Sequence, residues 1–156
     1  MLVGVISDSH DNVPKLRAAV DMLRSRGVEH IVHGGDYVAL FAVKVLTQCG
    51  IPFTGVFGNN DGERTGISRL TSDIFPSPHS FELGGRRILL IHDLSKLPSE
   101  ARTEADIIVF GHTHQTHVEE GPPLLLNPGE CCGWVTGRCT VALLDLESLD
   151  VSILEV

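Results

Sequence analysis

Cations are scarce in this chain of 156 residues: twelve Lys and Arg stand against twenty Asp and Glu, a net charge of −8. A surface built to neutralise a run of duplex phosphates needs the opposite balance, so the charge argues against duplex nucleic acid as a partner. It leaves open phosphate chemistry inside a metal-lined cleft. Long apolar runs are missing as well. Nothing approaches the roughly eighteen apolar residues of a membrane span, and the start has no basic segment, only Leu2 to Ile6 before polar residues begin. The expectation is a soluble cytoplasmic protein, neither secreted nor membrane-bound. Cysteine is limited to Cys49, Cys131, Cys132 and Cys139, with no C-x-x-C spacing, which disfavours a zinc knuckle and favours reduced, buried thiols. No G-x-S-x-G, no P-loop and no Cys with an obvious His base is found, so no covalent nucleophile announces itself. With no linker, internal repeat or low-complexity segment, residues 1–156 are expected to form one domain around one core.

What is present begins with Leu2-Val3-Gly4-Val5-Ile6, which stops abruptly at Ser7-Asp8-Ser9-His10-Asp11-Asn12. A short run of β-branched and aliphatic residues reads as a strand buried on both faces, and its carboxyl end is where ligands sit in open α/β sheets. Asp8 and His10, two apart on what is nearly still strand, can emerge on one side toward a shared point. The pattern repeats. An amphipathic helix opened by Pro14, with Leu16, Ala19, Val20 and Leu23 on one face, stops near Gly27; a strand from Val28 to Val32 then enters His33-Gly34-Gly35-Asp36. A helix from about Val38 to Gln48 and a strand from Pro52 to Phe57 lead into Gly58-Asn59-Asn60-Asp61. Right-handed crossovers put these three loops on one edge of one sheet.

From Glu63 to His79 the signal is weak, a short helix and a loop. Phe81 to Leu83 and Arg86 to Ile91 flank Gly84-Gly85 as a hairpin, so the architecture turns from parallel to mixed. The second of these strands ends in His92-Asp93; a short helix from Pro98 to Ala105 and a strand from Ile107 to Phe110 follow, ending in Gly111-His112-Thr113-His114. The tail adds strand-like segments, Thr116 to Glu119 and Leu124 to Leu126, and a terminal hairpin of Thr140 to Leu146 with Val151 to Val156. Five apolar strands thus end in loops carrying Asp8 and His10, Asp36, Asn59, His92, and His112 with His114. Metal-competent residues after every one of them point to a metal site.

The set Asp8-x-His10, Gly35-Asp36, Gly58-Asn59-x-Asp61, His92 and Gly111-His112-x-His114 resembles the calcineurin-like metallophosphoesterases, most closely their small single-domain phosphodiesterase branch. The resemblance runs from Met1 to about Gly129 and includes the Asn127-Pro128-Gly129 turn. It implies an α/β fold, α+β by strict count, of two mixed β-sheets packed as a sandwich flanked by helices. It further implies two divalent metal ions: Asp8, His10, Asp36 and His114 on the first, and Asp36, Asn59, His92 and His112 on the second, with Asp36 as bridge. Cations about 3.5–4 Å apart need an anion between them, which suits that role. Oxygen and imidazole ligands with one amide suit manganese (Mn²⁺) first, with Fe, Co²⁺, Ni²⁺ or Zn²⁺ as alternatives. The implied activity is hydrolysis of phosphodiester, or phosphomonoester, bonds of small substrates by attack of a metal-bound hydroxide.

Three positions depart from the family pattern. Asn60 stands where many members have a histidine general acid, and an amide cannot protonate a leaving group near neutral pH. Asp61 is then either an acceptor behind the ligands or a solvated turn carboxylate. Asp93 follows His92 where the family has His-Gly-His, and either joins the site or points outward. Glu130 replaces a small hydroxyl residue after the Asn-Pro-Gly turn. Arg64 and Arg69 could reach a substrate phosphate or be solvated; Arg64 and Asp93 are kept as substrate-binding candidates. His33 reads as structural, and His30, His79 and His117 as strand or surface residues. Trp134 is assigned to core or interface packing. The alternatives are a non-catalytic scaffold of the same fold, as in the retromer sorting subunit, and a nuclease. Self-association is compatible with the sequence.

Overall fold

The computed structural model describes the backbone of residues 1–156 and every side chain except that of Ser99. Strands β1 (Leu2–Ile6), β2 (His30–His33) and β3 (Phe53–Val56) run parallel, joined through helices α1 (Val13–Ser25) and α2 (Leu40–Gln48). The Asn12 side chain caps α1 by accepting from the Lys15 N–H, and Pro14 sits in its first turn. Helix α2 starts two residues later than the sequence suggests, because Val38 takes a left-handed φ of 81° and Ala39 is extended. After α3 (Arg64–Leu70) comes a strand that sequence reading misses, β4 (Ile74–Phe75), parallel to β3. Two residues are too few to show a period.

The chain turns back through the antiparallel hairpin of β5 (His79–Leu83) and β6 (Arg86–Leu90), closed by Gly84-Gly85. The helix expected from Pro98 to Ala105 is instead a 3₁₀ turn, Ser99–Glu104, preceded by another, Leu94–Lys96. Strands β7 (Ile107–Val109), β8 (Thr116–Glu119) and β9 (Leu124–Pro128) complete a second sheet in the order β5-β6-β7-β9-β8, with β6, β7 and β9 parallel. The terminal hairpin of β10 (Thr140–Asp145) and β11 (Val151–Glu155) returns to the first sheet, where β10 pairs antiparallel with β1, giving β11-β10-β1-β2-β3-β4. Both sheets are mixed, as the family fold requires.

The alternation of side chains explains the layers. Val3, Val5, Val32 and Val56 from the first sheet meet Ile88, Leu90, Ile107, Val109 and Leu126 from the second in one buried cluster. On the opposite face of the first sheet, Ile6 and Ile31 pack under Leu16, Leu23, Val43, Leu46 and Ile67 of the three helices. Leu89, Ile108 and Phe110 face away from the sandwich and are covered by Leu97 and Ala105 of the 3₁₀ region. Each such aliphatic side chain contributes roughly 1.5–3 kcal/mol relative to exposure. Strands buried on both faces were legible as uninterrupted apolar runs for this reason. No helix among the described residues is long and apolar enough to cross a membrane.

The two sheets are tied where the site forms. The carboxyl ends of β1, β2 and β3 and those of β6 and β7 empty to one side. The His92 ring, just after β6, donates through Nδ1 to the carbonyl of Gly34, just after β2, at 2.9 Å.

Candidate metal centre

The loops that carry the seven residues expected to be ligands are not continuations of their strands. Asp8 (φ 51°), His10 (φ 39°), Asp36 (φ 60°), His112 (φ 69°) and His114 (φ 61°) all lie in the left-handed region. This corrects the expectation that Asp8 and His10 share a face as strand residues. The chain curls there, and the two side chains converge because the backbone turns, held by Asp8 N–H to Gly35 O and His10 N–H to Asp36 O, both 3.0 Å. Asp and His tolerate this region better than β-branched residues do, and such strain gathers at functional sites. Two glycines make room. A Cβ at Gly58 would collide with the Asp36 carboxylate, and one at Gly111 with the side chains of Ser7 and Asp8.

Two half-sites result, meeting at Asp36. In the first, His10 Nε2 lies 3.6 Å from Asp36 Oδ2 and 3.9 Å from Asp8 Oδ1, and His114 Nε2 lies 3.6 Å from Asp8 Oδ1. The two imidazoles stack with centroids 5.1 Å apart. In the second, His92 Nε2 is 3.4 Å from Asp36 Oδ2 and 2.9 Å from Asn59 Oδ1, and His112 Nδ1 is 2.9 Å from the same amide oxygen. All seven residues expected to be ligands are therefore brought together.

The donor set fits divalent ions. Atoms bound about 2.1 Å from one ion at angles of 90–120° lie about 3.0–3.6 Å from each other, close to the separations above. His10 Nε2 is buried without a hydrogen-bond partner. Because Nδ1 of His92 is committed to a carbonyl, Nε2 is the ring nitrogen that faces the Asn59 and Asp36 oxygens and would be the one to bind an ion there. Asp8 and Asp36 are buried, and no Lys or Arg among the described residues pairs with either. Burial pushes the Asp8 carboxyl up against the pull of the nearby histidines. Burial acts the same way on Asp36, but His92 beside it and hydrogen bonds from Asn60 outweigh it and hold the carboxyl well below the usual range. For His92, burial pushes down and Asp36 and the Gly34 carbonyl pull up, with a net rise. Buried anions facing imidazole lone pairs are costly unless a cation joins them.

A family model of the calcineurin-like phosphoesterase superfamily domain matches residues 1–149. The chain belongs to the calcineurin-like phosphoesterase superfamily. A phosphodiesterase of Methanocaldococcus jannaschii is 33% identical over 156 aligned residues, which cover 94% of this chain and 94% of the relative. An archaeal phosphodiesterase of known structure superposes with a TM-score of 0.90 at 30% identity, with 100% of both chains covered. Vps29 of Entamoeba histolytica in complex with zinc shares the fold at a TM-score of 0.73 and 22% identity, over 99% of this chain and 91% of its own.

Several residues of this phosphoesterase lie behind the seven converging side chains. Asp61 is buried at 3% exposure, so it is not a solvated turn residue; it accepts from the backbone N–H groups of Gly58 (2.7 Å), Val38 (2.7 Å) and Asp36 (3.1 Å), tying the β2 and β3 loops together. Burial pushes its carboxyl up, against those hydrogen bonds. Arg64 donates to the carbonyls of Asp61 (3.0 Å) and Gly58 (2.7 Å) and lies over the Phe57 ring, so much of its donor capacity braces the Asn59 loop. Asn60 donates its backbone N–H and its amide to the two Asp36 oxygens, each at 2.8 Å. Asp93 caps the Leu94–Lys96 turn through Ser95 and sits 3.8 Å from His112 Nε2, behind the ring rather than in either half-site. His33 is fully buried between Tyr37 and Ser9, with burial pushing its imidazole down to about 3, a structural neutral ring. His30 meets Thr54, His79 stacks on Phe75, and His117 faces Glu119; none joins the centre.

Glu130 is the residue whose part sequence reading missed. It is fully buried and accepts from His114 Nδ1 at 2.8 Å, so it sets the tautomer that leaves Nε2 for the first half-site. The same carboxylate accepts from Cys132 Sγ at 3.0 Å, Val135 N–H and both Thr136 donors. Burial alone would raise its carboxyl, yet these donors hold it at about 2. Cys132 lies beside His10 and His114, but burial and donation to Glu130 push its thiol up to about 12, which keeps it a neutral donor. The four cysteines are buried and free, as expected. The only signal for Glu130 was its oddity after the Asn-Pro-Gly turn.

Replacing Glu130 by Gln removes the anion behind His114 while preserving shape. Affinity at the first half-site is expected to fall by about 10–100-fold, with the second less affected, as read by calorimetric titration of the apoprotein. Unchanged affinity at both would remove Glu130 from the centre.

Proposed function

We propose that this phosphoesterase is a dinuclear hydrolase of small phosphodiesters, with Asp8, His10, Asp36 and His114 holding one ion and Asp36, Asn59, His92 and His112 the other. The observation that carries this reading is the placement of Asp36 Oδ2 between His10 and His92, at 3.6 and 3.4 Å, as only a bridging carboxylate needs to be. Manganese is the preferred occupant, because the donors assigned to the two ions are oxygens and imidazoles. When bound, the ions supply Lewis acidity and lower the pKa of a bound water toward about 7.

The protein's part is orientation. Gly34 fixes the His92 ring, Glu130 fixes His114, and Asp61 ties together the two loops that present Asp36 and Asn59. A cleft of about 310 Å³, lined by Phe57, Asn59, Arg64, Pro78, His92 and Lys96, adjoins the second half-site and suits one substituent of a small ester. Arg64 and Lys96, the latter paired with Asp93 at 3.5 Å, line this cleft and would be the cations to meet a phosphoryl oxygen there. Asn60 donates hydrogen bonds but holds no proton to give to a leaving group. Diesters with weakly basic leaving groups are therefore the favoured substrates.

Hydrolysis of bis(p-nitrophenyl) phosphate by the Mn²⁺-loaded chain is expected, with Asp36→Asn lowering it by on the order of 10³-fold together with metal content. Two ions bound with no ester turned over would assign the chain to a non-catalytic scaffold. Across a series of aryl and alkyl esters the rate should fall steeply with leaving-group pKa. Asn60→His should raise the alkyl-ester rates by up to about 10²-fold; a flat series in the unaltered protein would contradict this account of Asn60.

A further inference from the structure

Trp134, the chain's only tryptophan, is not part of the core: it is 66% exposed, and its neighbour Val135 is 69% exposed. Its position is nevertheless fixed. The indole N–H reaches the carbonyl of His10, a first half-site residue, at 3.4 Å. The turn that carries it is framed by Gly133 (φ 71°) and Gly137 (φ 76°) and pinned from beneath by Glu130, which accepts from Val135 N–H at 3.0 Å and Thr136 Oγ1 at 2.6 Å. That is the carboxylate that orients His114, so one buried anion holds both the imidazole and the turn that carries the indole. An apolar ring left in water beside a phosphate-attracting centre, but anchored by its edge, is ordered before any ligand arrives.

We propose that Trp134 is a stacking platform for a planar aromatic substituent of the phosphate ester, an aryl group or a base. The proposal rests on the phosphoesterase reading and extends it to a substrate class. Stacking on an indole face tolerates any flat π-system. The net charge of −8 disfavours a polyanionic strand as the source of that group and favours a small ester. An aryl ester is also the chemistry that the missing acid at Asn60 requires.

The probes are phenyl phosphate and methyl phosphate, titrated into the Mn²⁺-loaded chain by calorimetry and by the emission of its sole tryptophan. Phenyl phosphate should bind about tenfold more tightly and shift the emission saturably, while methyl phosphate leaves the emission unmoved. In Trp134→Ala the preference should fall toward one, and Trp134→Phe should restore most of it. Equal binding of the two probes by the unaltered chain, or a preference that survives Trp134→Ala, overturns the proposal and leaves the phosphoesterase reading intact. If Trp134→Ala instead changes the sedimenting mass, the ring is a contact between copies and the proposal fails. If neither phosphate binds and no diester is turned over, the phosphoesterase reading has failed and takes the proposal with it.

Discussion

Asp36 is the constraint on which the loop edge depends. Its carboxylate is 1% exposed, lies within 4 Å of imidazoles from two different sheets, and has no cationic Lys or Arg partner among the described residues. An isolated ion taken from water costs several kcal/mol after relaxation. Here hydrogen bonds from Asn60 offset part of the cost, and a cation shared with the facing imidazoles would offset the rest. The surroundings follow from that need: Gly58 lacks a side chain because the carboxylate occupies the space, and Asp61 gathers N–H groups from the Asp36 loop and from the neighbouring Gly58 loop. Family membership and the clustering of Asp8, His10, Asp36 and His114 support the same conclusion from separate directions, that this edge is suited to binding metal.

Backbone strain at the ligands belongs to the same arrangement. Left-handed conformations at Asp8, His10, Asp36, His112 and His114 cost of order 1–3 kcal/mol each for residues other than glycine. They persist because the strands before them are clamped between apolar layers and the loops are cross-linked by backbone hydrogen bonds between β1 and β2 and between His92 and Gly111. The sandwich is thus what makes the site affordable, and a single buried histidine, His92, ties its two sheets together at that spot.

Much of this could be read in the sequence. Each ligand-bearing loop follows an apolar run buried on both faces, and the switch from run to polar cluster marks a strand end whether or not a period is visible. The mixed sheets followed from the Gly84-Gly85 hairpin and the family pattern. What escaped lay in relations the chain does not display locally. Strand β4 is too short to carry a pattern. The left-handed turns at Asp8 and His10 are invisible because those residue types also suit extended backbone. Glu130 looked like a misplaced residue, since its partner His114 is sixteen positions away and adjacent only once β8 and β9 pair. Trp134 looked like core or interface packing because apolar rings are usually buried, and its exposure rules out the core.

The sharing of Asp36 between two ions can be seen directly by collecting anomalous diffraction at the manganese edge from crystals grown with Mn²⁺. The account predicts two peaks about 3.5–4 Å apart on either side of the Asp36 carboxylate. A single peak, or two peaks with Asp36 bound to neither or only one, would contradict it.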